Sequence, residues 1–115
     1  MIAKIYHNTR CSKSRATLAI LEQNNLEFEI VNYLENPPSE SELRSVLQDL
    51  GIGARDLIRK GESAYKDLQL SNKSLTEDEL IKAMLNYPIL IERPIVRTTK
   101  GVVIGRPPEN VQSIL

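Results

Sequence analysis

A strand, a helix and a second strand follow one another at the start of this chain, and that order constrains the fold more than any other feature of the sequence. Residues 2–6, Ile-Ala-Lys-Ile-Tyr, alternate as a short strand does. Residues 12–24 have helical composition and spacing. Ala16, Leu18, Ala19, Ile20 and Leu21 are expected to form a broad buried face, and Asn24-Asn25 to stop the helix. Residues 26–34 alternate again before turning apolar, which suits a strand reached through a helical crossover. Strands joined in this way lie parallel, with a right-handed connection.

Pro37-Pro38 breaks the pattern, and Ser39-Glu40-Ser41-Glu42 reads as a capping box opening a helix with Leu43, Val46, Leu47 and Leu50 on its apolar side, closed by Gly51. Residues 54–70 predict two short helical pieces around Lys60-Gly61-Glu62-Ser63. A second capping box stands at Thr76-Glu77-Asp78-Glu79, with Leu75 and Leu80 as its hydrophobic staple. Leu80, Ile81, Met84 and Leu85 form the buried stripe of that helix, which Pro88 ends. Residues 94–97 and 101–104 then predict an antiparallel hairpin around Thr98-Thr99-Lys100. A last helix begins at Gly105-Arg106-Pro107-Pro108-Glu109, with proline in its first turn and Val111, Ile114 and Leu115 facing inward.

The chain has 115 residues, 41% of them hydrophobic, which is enough for one domain with a real core. No repeat or linker marks a boundary. Fifteen basic and fifteen acidic residues cancel, so no overall field draws the chain to nucleic acid or a membrane surface. Its aliphatic runs are too short to span a bilayer, and no basic segment followed by a long apolar run stands at the N-terminus. A soluble, cytoplasmic, monomeric protein is expected. One cysteine and one histidine permit no internal disulfide and no ordinary zinc ligand set, so no metal is expected.

That cysteine and that histidine lie four residues apart in His7-Asn8-Thr9-Arg10-Cys11-Ser12-Lys13-Ser14-Arg15. Cys11 is predicted where the first strand hands over to the first helical turn, where unpaired N–H groups and the positive end of the helix dipole favour a thiolate or a bound oxyanion. A lone cysteine is more often a buried apolar residue, but here His7, Arg10, Lys13 and Arg15 surround it in sequence. His7 is read either as a general base or as an imidazolium beside the thiolate; the plainer alternative is a strand-end histidine bonded to backbone. Ser14 occupies the place of the second cysteine in Cys-x-x-Cys. It cannot form a disulfide, although it can donate a hydrogen bond to the Cys11 sulfur, and an oxidised Cys11 therefore needs a thiol from another molecule. Cysteine phosphatases require an arginine six positions after the nucleophile. Thr17 stands there, which sets that chemistry aside.

Three distant arginines, Arg59, Arg93 and Arg106, each sit at an apolar-to-polar junction. Singly, each reads as the solvated end of an element. Together they form a candidate guanidinium cluster that grips a tetrahedral oxyanion through paired hydrogen bonds.

These residues resemble the thioredoxin-fold arsenate reductases that work with glutaredoxin, the ArsC family. The resemblance runs along essentially the whole chain: Tyr6-His7-Asn8 leading to Cys11 and Ser14-Arg15; Tyr33-Leu34-Glu35 with Pro37-Pro38; Leu57-Ile58-Arg59-Lys60 with Tyr65; residues 88–96 around Glu92-Arg93-Pro94; and Gly105-Arg106-Pro107. It implies that Cys11 is the nucleophile, that Arg59, Arg93 and Arg106 bind the oxyanion, and that His7, Ser14 and Arg15 tune the thiol. Pro94 is implied to be a cis proline facing the site. The chain departs from the well-characterised members in its shorter C-terminal segment and in the Cys11-Ser12-Lys13-Ser14 loop, and there it resembles a shorter branch of the family.

The expected fold is a thioredoxin-like α/β domain with a four-stranded mixed sheet in the order 2-1-3-4 and a helical insertion between its βαβ and ββα halves. The expected chemistry is reduction of arsenate with glutathione as co-substrate, no bound cofactor and glutaredoxin as partner. Two alternatives stand beside it. One is a regulator like the Spx proteins, which bind RNA polymerase, although Ser14 breaks their Cys-x-x-Cys switch. The other is a thiol reductase acting on glutathione mixed disulfides or another oxyanion.

Overall fold

The computed structural model describes residues 2–115, which divide into two compact units, residues 2–36 with 93–115, and residues 37–92. The first unit is built on β1 (Ile2–His7), α1 (Ser12–Gln23) and β2 (Glu27–Asn32), followed after the second unit by β3 (Ile95–Thr98), β4 (Gly101–Ile104) and a 3₁₀ helix, Pro108–Ile114. The sheet has the expected order, β2-β1-β3-β4. β1 and β2 are parallel, from Ile2 opposite Glu27 to His7 opposite Asn32. β3 lies antiparallel to β1 and forms a hairpin with β4.

This topology puts Ala3, Ile5, Leu21, Val96, Val111 and Ile114 into one core, with Leu18, Ile20, Phe28 and Leu115 packed around it. The buried face of α1 differs from the expected one. Ala16 and Ala19 are exposed, whereas Ser14, Thr17 and Leu21 are buried. The buried positions recur at three- and four-residue spacing, so geometry selects two hydroxyl side chains for the interior and leaves two good helix formers in solvent. The second strand is shorter than the predicted 26–34. It stops at Asn32; Leu34 beyond it is 41% exposed, and Ile30 on this edge strand is 45% exposed.

The C-terminal helix is a 3₁₀ helix rather than an α-helix. Pro107 and Pro108 withhold two N–H donors at its start. The three-residue period then stacks Val111 over Ile114, and both are buried. Thr98 Oγ1 donates to the Ile114 carbonyl at 2.7 Å and ties this end to the sheet.

The second unit contains α2 (Glu40–Leu50), α3 (Ala54–Leu57), α4 (Ser63–Asp67), α5 (Glu77–Asn86) and a 3₁₀ turn, Pro88–Leu90. Ser39 caps α2 by accepting from the Glu42 N–H, and Gly51 closes it at φ 71°, a left-handed conformation suited to glycine. Thr76 and Glu79 complete the capping box of α5. Of the stripes read from the sequence, Leu43, Val46, Leu47, Leu80, Ile81 and Met84 are buried and Leu50 and Leu85 half-buried; Leu57 is buried as well.

Candidate active site

Three short hydrogen bonds shape the loop after β1. The Cys11 N–H donates to the Asn8 carbonyl at 3.0 Å, the Arg10 N–H donates to Asn8 Oδ1 at 2.9 Å, and the Asn8 N–H donates to Ser14 Oγ at 3.1 Å. Asn8, 5% exposed, is therefore the organiser of this turn, a role that the sequence motif alone does not assign to it. The signal was available: an asparagine between a strand and a helix readily bonds the backbone two residues on.

Cys11 is the N-cap of α1, with extended backbone at φ −94° and ψ 121°, and its carbonyl accepts the first helical bond from the Arg15 N–H at 3.0 Å. The thiol is partly exposed. Burial pushes its pKa up. The N–H groups of Ser14 and Lys13, together with a hydrogen bond and the positive charge from Arg93, outweigh that and leave it below the ordinary thiol value. The electropositive setting thus reaches the sulfur through the backbone of Lys13 and Ser14 and through a distant guanidinium. The Arg10 and Lys13 residues themselves are exposed.

Ser14, fully buried, holds His7 as well as Asn8. Its Oγ lies 2.6 Å from His7 Nδ1, a contact made whichever of the two carries the proton. His7 is 5% exposed, and burial, followed by the charge of Arg15, holds its pKa below the ordinary histidine value. A neutral imidazole is the favoured form, and the partner its Nδ1 meets is the Ser14 hydroxyl. Arg15 turns its guanidinium to the Thr9 carbonyl at 2.9 Å.

Two of the three arginines converge on the cysteine. Arg106 Nη1 donates to the Cys11 sulfur at 3.7 Å and to the Arg93 carbonyl at 3.1 Å. Arg93 acts on the same sulfur by hydrogen bond and charge. Arg59 belongs to the second unit, where Nε meets Glu62 at 3.1 Å and Nη1 meets Glu92 at 2.5 Å. The Arg93–Pro94 peptide is cis, and so is Arg106–Pro107. Pro94 and Gly105 are joined by the Gly105 N–H donating to the Pro94 carbonyl at 2.9 Å. A Cβ on Gly105 would stand 2.5 Å from Thr17 Oγ1 and 2.9 Å from Pro94 Cγ. Only glycine lets the strand end that carries Arg106 approach α1 so closely. Among the described residues no group of three or more His, Cys, Asp or Glu side chains is placed to hold a metal ion, and no helix is long and apolar enough to cross a membrane.

The profile of the ArsC family matches residues 6–114. The chain is 51% identical to the protein named uncharacterized protein YfgD from Escherichia coli, over 97% of this chain and 95% of that one. It is 44% identical to an arsenate reductase of Neisseria meningitidis, over 97% of each. Its fold superposes on the solved arsenate reductase from Vibrio cholerae with a TM-score of 0.96 at 46% identity, over 100% of this chain and 98% of that one.

Proposed function

The chain belongs to the ArsC family, and on that premise we propose that it is an arsenate reductase in which Cys11 is the nucleophile and glutathione with glutaredoxin supplies the electrons. The observation that carries the reading is the partly exposed Cys11 thiol, low in pKa, with Arg93 and Arg106 directed at its sulfur. A thiolate faced by two guanidinium groups suits attack on an oxyanion.

In the proposed sequence the Cys11 thiolate attacks As(V), a sulfur–arsenic bond forms, and an arsenate oxygen leaves as water. Glutathione then attacks the Cys11 sulfur. The sulfur–arsenic bond breaks with its electron pair remaining on arsenic, which departs as arsenite, while Cys11 and glutathione are left as a mixed disulfide. One electron from each thiol accounts for the two-electron reduction. A glutaredoxin thiolate takes the glutathione and returns Cys11. Ser14 gives the enzyme no internal thiol for that last step. Arg93 and Arg106 hold the oxyanion, and Arg59, by the family resemblance, is the third guanidinium. His7, Ser14 and Arg15 set the loop in which the thiolate forms. The enzyme works as a cytoplasmic monomer.

The test is arsenate-dependent NADPH oxidation with glutathione, glutathione reductase and glutaredoxin. Wild type is expected to turn over and Cys11→Ser to show none. Arg93→Ala and Arg106→Ala are expected to raise the arsenate KM by roughly 10-fold or more, the scale of one lost charge-assisted hydrogen bond, and Arg59→Ala to do the same. Turnover persisting in Cys11→Ser, or a folded wild type inert towards arsenate but active on glutathione mixed disulfides, defeats the proposal.

A further inference from the structure

Arsenate reduction as proposed uses the cysteine and the guanidinium groups, and it leaves one buried polar atom beside them without a role. Tyr33 follows β2 directly, one residue past the pair formed by Asn32 and His7. It therefore stands at the end of the parallel pair from which the Cys11 loop departs. Its side chain is 1% exposed, and its hydroxyl makes no hydrogen bond. A buried phenol without a partner carries a desolvation penalty that phenylalanine would avoid, and native interiors rarely keep such a group idle.

The neighbours of that hydroxyl say what kind of partner is wanted. The Asn8 side chain and the Arg93 guanidinium lie near enough to act on it, and the Cys11 thiolate is within electrostatic reach. Neither Asn8 nor Arg93 has the geometry of a hydrogen bond to it. Asn8 Oδ1 already accepts from the Arg10 N–H. A guanidinium has donors only and cannot take the phenolic proton. Among the described residues no acceptor meets this hydroxyl; one that arrives from outside the protein, beside a guanidinium, is an anion.

We propose that Tyr33 is an oxyanion-binding residue, its hydroxyl donating a hydrogen bond to an oxygen of the tetrahedral oxyanion that Arg93 and Arg106 hold over Cys11. The inference rests on the oxyanion reading of the Cys11 site. Burial, and to a lesser degree the Cys11 thiolate, keep the phenol protonated, while Arg93 and Asn8 oppose this without reversing it. Tyr33 is thus a neutral donor at physiological pH. It adds directional grip without adding charge, and its pairing is completed only when the anion arrives.

Tyr33→Phe keeps the ring in place and removes only the oxygen. Arsenate binding is measured by calorimetry in the Cys11→Ser background, with and without Tyr33→Phe. Arsenate KM and kcat are measured with Cys11 intact, and thermal unfolding is followed without ligand. The expected result is a roughly 10-fold or greater loss of arsenate affinity, the scale of a hydrogen bond to a charged group. KM is expected to rise more than kcat falls, and the unfolding temperature of the free protein to stay unchanged or rise. Equal affinity with and without the hydroxyl overturns the role of Tyr33 while leaving arsenate reduction intact. A Tyr33→Phe protein that unfolds early or misfolds assigns the hydroxyl to the fold and likewise overturns it. A wild type that neither binds nor reduces arsenate removes the oxyanion reading itself, and this inference with it.

Discussion

Taking the guanidinium from Arg93 removes a hydrogen bond and a positive charge from the Cys11 sulfur. Both favour the thiolate, so Arg93→Ala is expected to raise the thiol pKa. Alkylation of Cys11 by iodoacetamide, followed against pH, reads this directly because only the thiolate reacts. In the wild type the reactivity midpoint should lie below that of an ordinary thiol, and in Arg93→Ala it should move upward. A midpoint that does not move assigns the activation to the N–H groups of Lys13 and Ser14 and to Arg106. His7 contributes differently. Buried, and facing the charge of Arg15, it favours the neutral state and serves the loop through its 2.6 Å contact with Ser14. The proposed division of labour among these residues is that backbone and arginine activate the sulfur, while His7 and Ser14 hold the turn that presents it.

Among the elements, the approach of the β4 end to α1 sets the position of Arg106. Thr17 and Pro94 leave no room for a methyl group at Gly105. Gly105→Ala is therefore expected to destabilise the protein by about 1–3 kcal/mol, the range for overpacking a filled site, as measured by urea unfolding. The same substitution moves Arg106 relative to Cys11, so arsenate KM should rise as well. Normal stability would mean that α1 yields easily. The helix starts in the second unit were legible because their signals are local: Ser39 and Thr76 accept from the N–H groups of Glu42 and Glu79, three residues on in each case. The buried face of α1 was less legible. Ser14 and Thr17 are interior because the loop and Gly105 require small hydroxyl side chains there, and their polarity alone argues for solvent. The 3₁₀ character of the last segment depended on two prolines and on a core spaced by three, and composition alone does not separate that from an α-helix.

For the molecule as a whole, the balance of fifteen basic and fifteen acidic residues gives a pI of about 6.6. Least net charge means least mutual repulsion, so solubility should be lowest near that pH and rise on either side. Precipitation assays across pH 5–8 at roughly 0.1 M salt check this, and a flat profile would count against it. The sheet order 2-1-3-4 came with the family resemblance; by itself the sequence determined the order of strands and helices, the caps, the parallel crossover and the single candidate nucleophile. Each of these follows from periodicity or chemistry acting over a few residues, or from the handedness of a βαβ crossover. Only the tertiary structure decided which cations meet the sulfur. Arg106 reaches Cys11 from 95 residues away because β3 and β4 return alongside β1. It also decided that Tyr33 ends with its hydroxyl buried, unpaired and close to Arg93. Such meetings depend on chain segments that share no local pattern, and they become visible only when the sheet has closed.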